Sequence, residues 1–232
     1  MPSILITGSN RGIGLEWARQ YADFGWQVYA TCRFPEQASE LQHLKRDYSN
    51  LEIHQLDVTR DSQLRSVAET LKNKSIDILL NNAGIYLERE QSSTLGNINY
   101  LDWEETFRVN TLGAVRVTEV FQKHVSLSQQ RLVVVTTSHM GSMAELDTPG
   151  NYAYRSSKTA LNIAMKGISL ELGEYQTGVL LLHPGWVKTR MGGPNALISA
   201  TESVNGMRTV IDNFTLNKSG SFYRYDGDLI PW

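Results

Sequence analysis

The sequence predicts an α/β chain in which residues 1–232 form a single domain, one doubly wound parallel sheet of about seven strands with helices on both faces. Three observations carry that expectation. Apolar runs of strand length alternate with stretches whose apolar residues recur at helical spacing, and a glycine-rich turn joins the first run to the first helix. The length suits one large core better than two, and strand–helix–strand repeats with right-handed crossovers put helices on both faces of a parallel sheet.

Taken in order, Ser3 to Thr7 is an apolar run, and Gly12 to Phe24 follows with Ile13, Trp17, Tyr21 and Phe24 at helical spacing. A strand is expected at Gln27 to Thr31, a helix at Glu36 to Tyr48, a strand at Leu51 to Leu56, a helix at Asp61 to Lys72 and a strand at Ile76 to Leu80. A long helix from Trp103 to Val125, a strand at Leu132 to Thr137, a helix carrying Tyr154 to about Leu172 and a strand at Val179 to His183 come next. A helix near Thr201 to Phe214 and a strand near Phe222 to Tyr225 complete the pattern. The irregular stretches Leu87 to Leu101, His139 to Ala153 and Trp186 to Ala200 all follow strand ends, where an open α/β sheet places its ligand crevice.

Composition narrows the classes. An apolar fraction of 41%, a charged fraction of 20% and a net charge of -2 offer no basic footprint for nucleic acid or an anionic membrane. The single cysteine, Cys32, excludes an intrachain disulfide and a zinc site built on several thiolates, and the five histidines show no metal-ligand spacing. With no basic-apolar leader and no bilayer-length apolar run, the expected location is the cytoplasm.

Chemistry concentrates at the strand ends. Thr7 to Gly14 reads G-x-x-x-G-x-G at the first βα turn, so Gly8, Asn10, Arg11, Gly12, Ile13 and Gly14 are candidate contacts to a dinucleotide pyrophosphate. Where an acidic residue would bond an adenine ribose diol, Arg33 stands instead and suits a 2′-phosphate; Arg11 is a second candidate, and both also read as ordinary surface arginines. Cys32 beside this cation is expected to have a depressed thiol pKa. Asp57 and Val58 are candidates for the adenine, with helix capping as the other reading of Asp57. Asn82, Ala83 and Gly84 let the backbone pass close to the cofactor. Pro184 and Gly185 turn the chain, placing Val187 and Thr189 towards the nicotinamide end; His183 is given no role.

Tyr154 and Lys158 stand four residues apart, about 6 Å along one helix face. An ammonium beside a phenol favours the phenolate and lowers a pKa of about 10, which makes the tyrosine a general acid or base. Ser138 is the hydroxyl nearest the end of the fifth strand. Asn110, a mediocre helix former in mid-helix, reads either as a site residue or as a satisfied core amide.

In this order and spacing, Thr7-Gly8-x-x-x-Gly12-Ile13-Gly14, Asn81-Asn82-Ala83-Gly84, Asn110, Ser138, Tyr154-x-x-x-Lys158 and Pro184-Gly185 resemble the classical short-chain dehydrogenase/reductase family over nearly the whole chain. Tyr152 to Lys158, Met191 to Ala196, Tyr225-Asp226-Gly227 and Pro231-Trp232 are similar to its branch of C-factor-like and sniffer-like carbonyl reductases. The resemblance implies a Rossmann-type fold, NADP(H) as cofactor and no metal. It implies Tyr154 as proton donor, Ser138 bonded to the same oxygen, Lys158 on the nicotinamide ribose and Asn110 positioning a water. Tyr152 is set aside as the acid because its fourth neighbour is Ser156. Sixteen residues separate Ser138 from Tyr154, more than in many family members, so Ser142 stays an alternative.

The expected function is NADPH-dependent reduction of an aldehyde or ketone, the alternative an NADP(H)-binding sensor or signalling module with little or no turnover. The pocket segments supply Tyr86, Met140, Leu146, Trp186, Met191 and Leu197, which suits an apolar carbonyl or alcohol as the small-molecule partner. A homodimer is expected through the long helix and the Tyr154 helix. The latter has Ala160, Leu161, Ala164 and Ile168 on one face and Ile163, Gly167 and Leu170 on another.

Overall fold

The computed structural model describes residues 1–88 and 93–232. Strands β1 (Ser3–Thr7), β2 (Gln27–Cys32), β3 (Leu51–Gln55), β4 (Ile78–Asn81), β5 (Leu132–Thr136), β6 (Gly178–His183) and β7 (Ser221–Arg224) form one sheet in the order β3-β2-β1-β4-β5-β6-β7. Every neighbouring pair is parallel. From β1 the chain builds outward through β2 and β3, then returns to β4 on the other side. The strand order therefore reverses between β1 and β4, and a crevice opens there at the carboxyl ends.

Side chains alternate across the sheet, so each strand feeds two cores. Leu5, Leu79, Val133 and Leu181 meet Val117 and Phe121 of α5 (Ala114–Ser126) and Leu161 and Met165 of α6 (Tyr152–Gly173), with α3 (Asp61–Thr70) beside them. Ile4, Ile6, Val134 and Leu180 meet Trp17 and Tyr21 of α1 (Gly12–Asp23) and Val204 and Met207 of α7 (Ala200–Asp212), with α2 (Ser39–Asp47) on the same face. Burial of the central strands on both faces explains their unbroken apolar runs.

Local departures have identifiable causes. The expected helix from Glu36 is split into a 3₁₀ turn, Pro35–Gln37, and α2, because the backbone at Ala38 (φ -91°, ψ 65°) leaves helical geometry between them; the Ala38 side chain is buried. The strand expected from Ile76 starts two residues later, at Ile78; the Asp77 carboxylate accepts the Ser3 N–H at 2.9 Å at that margin. The long helix begins at Tyr100 as α4 (Tyr100–Phe107), capped by Asn99, whose Oδ1 accepts from the N–H groups of Leu101 and Asp102. It continues through a π-helical turn, Arg108–Gly113, into α5. Within the expected Leu87 to Leu101 loop, residues 89–92 lie outside the described residues. Among the described residues no helix is long and apolar enough to cross a membrane.

Candidate active site

The first turn of α1 lies hard against the ends of β1 and β4. Gly8 leaves β1 at φ 72°, and a Cβ on Gly14 would sit 2.1 Å from the Gly8 carbonyl oxygen and 2.6 Å from Asn82 Nδ2. Only glycine fits at position 14. Arg11 occupies the N-cap of α1 without a side-chain capping bond, so no capping side chain there competes for the first-turn N–H groups, which an anion could take. Asn82 and Ala83 are stitched to β1: both donate their N–H to Thr7 Oγ1 at 3.0 Å, and Asn82 Nδ2 donates to the Thr7 carbonyl. Across the crevice, Thr189 comes so near Gly12 that an added Cβ would lie 3.2 Å from its methyl.

Tyr154 and Lys158 are both buried, 8% and 4% exposed. Lys158 Nζ donates to the Thr136 carbonyl at 3.0 Å and stands 5.8 Å from the Tyr154 ring centroid. The Ser138 side chain lies close enough to the Tyr154 phenol to lower its pKa, and its Oγ accepts the Met140 N–H at 3.2 Å. Ser142 is engaged elsewhere: it donates to the Pro231 carbonyl at 2.6 Å and accepts from Glu145 N. Ser138 is therefore the serine at the tyrosine.

The electrostatics correct an expectation. Burial pushes the Tyr154 phenol up to about 12, with Ser138 pulling it back and the neighbouring Tyr86 adding to the rise. Burial also brings the Lys158 ammonium down to about 8. Desolvation disfavours the charged form of each group and is the largest cause of both shifts.

Asn110 sits in the π-helical turn, 1% exposed. Its Oδ1 accepts the Ile85 N–H at 2.8 Å, and its Nδ2 donates to the Ile85 carbonyl and to Ser157 Oγ. The amide thus clamps the loop leaving β4. It also borders the site, since a Cβ on Gly84 would lie 3.3 Å from Asn110 Oδ1 and 3.6 Å from Lys158 Nζ.

Residues 2–197 match the family model described as short chain dehydrogenase. The chain belongs to that family. It is 41% identical over 169 residues to C-signal of Myxococcus xanthus, covering 73% of this chain and 100% of that one. Among solved structures it is similar to the carbonyl reductase Sniffer of D. melanogaster, with TM-score 0.90 and 32% identity over 100% of both chains. The NADPH-bound carbonyl reductase from chicken fatty liver gives TM-score 0.92 and 33% identity over 100% of this chain and 99% of that one.

In this short-chain dehydrogenase the end of β2 sends Arg33 to solvent and Cys32 into the core. Burial accordingly pushes the Cys32 thiol up, not down as its neighbour suggests. Asp57 Oδ1 accepts both the N–H and the hydroxyl of Thr59, closing the turn before α3, whose N-cap is Arg60. Burial raises the Asp57 carboxyl, but the Thr59 hydrogen bonds and the charges of Arg33 and Arg60 leave it lowered. Val58 is buried against the π-helical turn: a Cβ on Gly113 would meet its methyl at 2.7 Å.

Pro184 and Gly185 follow β6, with Gly185 at φ 83° and the Pro184 carbonyl accepting from Ser203 Oγ. Val187 bridges to Ile198 and is buried. Of the expected pocket walls, the Tyr86 ring lies 4.4 Å from that of Tyr154, while Leu146, Trp186, Met191 and Leu197 expose apolar surface in the loops beyond β5 and β6. Glu88, which accepts the Tyr154 main-chain N–H, was not visible in any motif, because its partner is 66 residues away.

Proposed function

We propose that this protein is an NADP(H)-dependent reductase of aldehydes or ketones, with Tyr154 as the proton donor. The observation that carries the reading is the meeting of Tyr154, Ser138 and Lys158 beside the β1/β4 switch point. The likeness to an NADPH-bound carbonyl reductase supports NADP(H) here.

The residues present fit such a cofactor. Gly8, Asn10, Arg11, Gly12, Ile13 and Gly14 would hold the pyrophosphate, and Arg33, exposed at the end of β2, the 2′-phosphate. Asp57 and Val58 would border the adenine, and Asn82, Ala83 and Gly84 the middle of the molecule. Lys158 would hold the nicotinamide ribose, and Pro184, Gly185, Val187 and Thr189 the carboxamide side. Bound there, the cofactor supplies a hydride to the carbonyl carbon.

The chain's own part is proton delivery. A phenol with a pKa near 12 is protonated at neutral pH, so Tyr154 stands loaded to give its proton to the carbonyl oxygen. Ser138 bonds that oxygen, Lys158 stabilises the phenolate left behind, and Asn110, by clamping the Ile85 backbone, keeps the lysine's surroundings in place. The exposed apolar loops favour an apolar carbonyl compound. We place the enzyme in the cytoplasm and expect a homodimer through α4–α5 and α6, where Ile163 and Leu170 are each 70% exposed.

A second reading, an NADP(H)-binding signalling module, draws on the likeness to C-signal. NADPH oxidation over a panel of aldehydes, ketones and quinones separates the two. For the reductase, Tyr154→Phe should lose about 10² to 10⁴ in rate and keep NADPH binding. Wild-type turnover in that variant would refute the donor; tight NADPH binding without turnover of any panel member would favour the module.

A further inference from the structure

Helix α6 starts at Tyr152, and Asn151 is its N-cap. An asparagine there ordinarily turns its Oδ1 onto the N–H of the second or third helical residue. Asn151 does not: it makes no side-chain capping bond, its backbone lies at φ 54° and ψ 36°, and its Oδ1 accepts the Tyr86 hydroxyl at 2.6 Å. The third helical N–H, that of Tyr154, is bound instead by Glu88 Oε2 at 2.8 Å. Glu88 Oε1 accepts from Ser93 Oγ at 2.5 Å. The residue is 8% exposed.

A buried carboxylate is costly unless it is hydrogen-bonded, and here each oxygen has a donor while the group faces the positive end of a helix dipole. Tyr86 and Glu88 belong to one loop, the one that leaves β4 through Asn82 and Gly84. That loop grips the first turn of α6 at two points, Asn151 and Tyr154. The helix bearing the candidate donor is thereby tied to the loop expected to border the cofactor.

We propose that Glu88 is a positioning residue for the reaction: its carboxylate holds the main chain of Tyr154, and so sets where the phenol meets Ser138 and Lys158. The inference rests on the reading of Tyr154 as proton donor. Loss of the carboxylate leaves a first-turn N–H without a partner and lets that turn fray. A displacement of about 1 Å at a reacting group costs on the order of 10² in rate. Among the described residues no hydrogen bond joins Glu88 to the glycine loop or the end of β2, so the pyrophosphate and 2′-phosphate contacts stay, and with them most of the cofactor affinity.

The test uses the full chain with NADPH and a carbonyl substrate that the wild type reduces. Glu88→Ala is expected to lower kcat about 10- to 100-fold while NADPH Kd, read by fluorescence, stays within about twofold. Glu88→Gln keeps an acceptor oxygen for the N–H and should recover kcat to within about fivefold of wild type. Glu88→Asp keeps the charge but falls short of the N–H, so it should lose kcat as alanine does and serves if Glu88→Ala does not fold. Tyr154→Phe runs beside them. Turnover by Tyr154→Phe overturns the donor itself; an inactive Tyr154→Phe with wild-type kcat in Glu88→Ala or Glu88→Asp, or with no recovery in Glu88→Gln, overturns the role of Glu88 alone.

Discussion

Replacing Lys158 by methionine should stabilise the protein at neutral pH while ending the reaction. The ammonium is buried, and burial lowers its pKa from an ordinary 10.5 to about 8. Between those values the unfolded chain binds more protons than the native one, so stability rises with pH across the window. Below about pH 8 the lysine is charged in both states and the native state carries the whole desolvation cost. A gap of about two and a half units, at 1.36 kcal/mol each, puts that cost on the order of 3 kcal/mol. Methionine fills similar space without the charge, but it deprives the Thr136 carbonyl of its donor, which costs about 1–2 kcal/mol. The net gain at pH 7 is then about 1–2 kcal/mol, a few degrees in Tm for a chain of this size. Tyr154 acts in a separate window: its raised pKa favours the native state until pH climbs from 10 through about 12. Unfolding of cofactor-free wild type and variant at pH 7 and 9.5 isolates the lysine. The advantage of Lys158→Met should shrink by about 2 kcal/mol at the higher pH. A stability difference independent of pH over that interval would refute the argument that Lys158 is a desolvated cation.

Two further expectations concern the cofactor and the assembly. Arg33→Asp should lower the ratio of kcat/KM for NADPH over NADH about ten- to a hundredfold, towards the lower figure because the guanidinium is exposed and screened; parity between the cofactors in the wild type would sink the assignment. Light scattering at micromolar concentration should give a dimer mass for the wild type and a monomer mass for Ile163→Glu combined with Leu170→Glu, and a monomeric wild type would count against the proposed interface.

The sheet was legible because burial on both faces writes each central strand as an unbroken apolar run, Leu132 to Val135 being one, and because a parallel sheet needs a helix between strands. The glycine loop was legible for a local reason: the clash that forbids a side chain at Gly14 involves Gly8, six residues away on the same turn. The π-helical turn at Arg108–Gly113 left only one trace, an asparagine in mid-helix, since apolar spacing does not distinguish a widened turn from a regular one. Cys32 was misjudged from its neighbour. Cys32 is the last residue of β2, a strand buried on both faces, whereas Arg33 already stands outside the strand and in solvent, so adjacency in sequence does not give the thiol a cationic environment. Glu88 left no sign in the sequence, because a hydrogen bond across 66 residues exists only once the chain has folded.

The Tyr154–Lys158 pair shows why proximity and electrostatics separate. Spacing of four residues correctly puts the two side chains on one face of α6, and from that alone a lowered phenol pKa follows. Whether the lowering wins depends on how much water each group loses, a quantity set by β5, by the loop after β4 and by Tyr86, none of them adjacent in sequence. Both groups are buried, so each shifts towards its neutral form. For a catalyst of carbonyl reduction this is the useful sign. In the proposed reduction a buried phenol would keep its proton until negative charge develops on the substrate oxygen, and Lys158 at about 8 is still mostly cationic at pH 7, so the charge that would stabilise the phenolate left behind is already in place. Alcohol oxidation asks the opposite of Tyr154, a phenolate before the substrate reacts, and burial makes that form the harder one to reach.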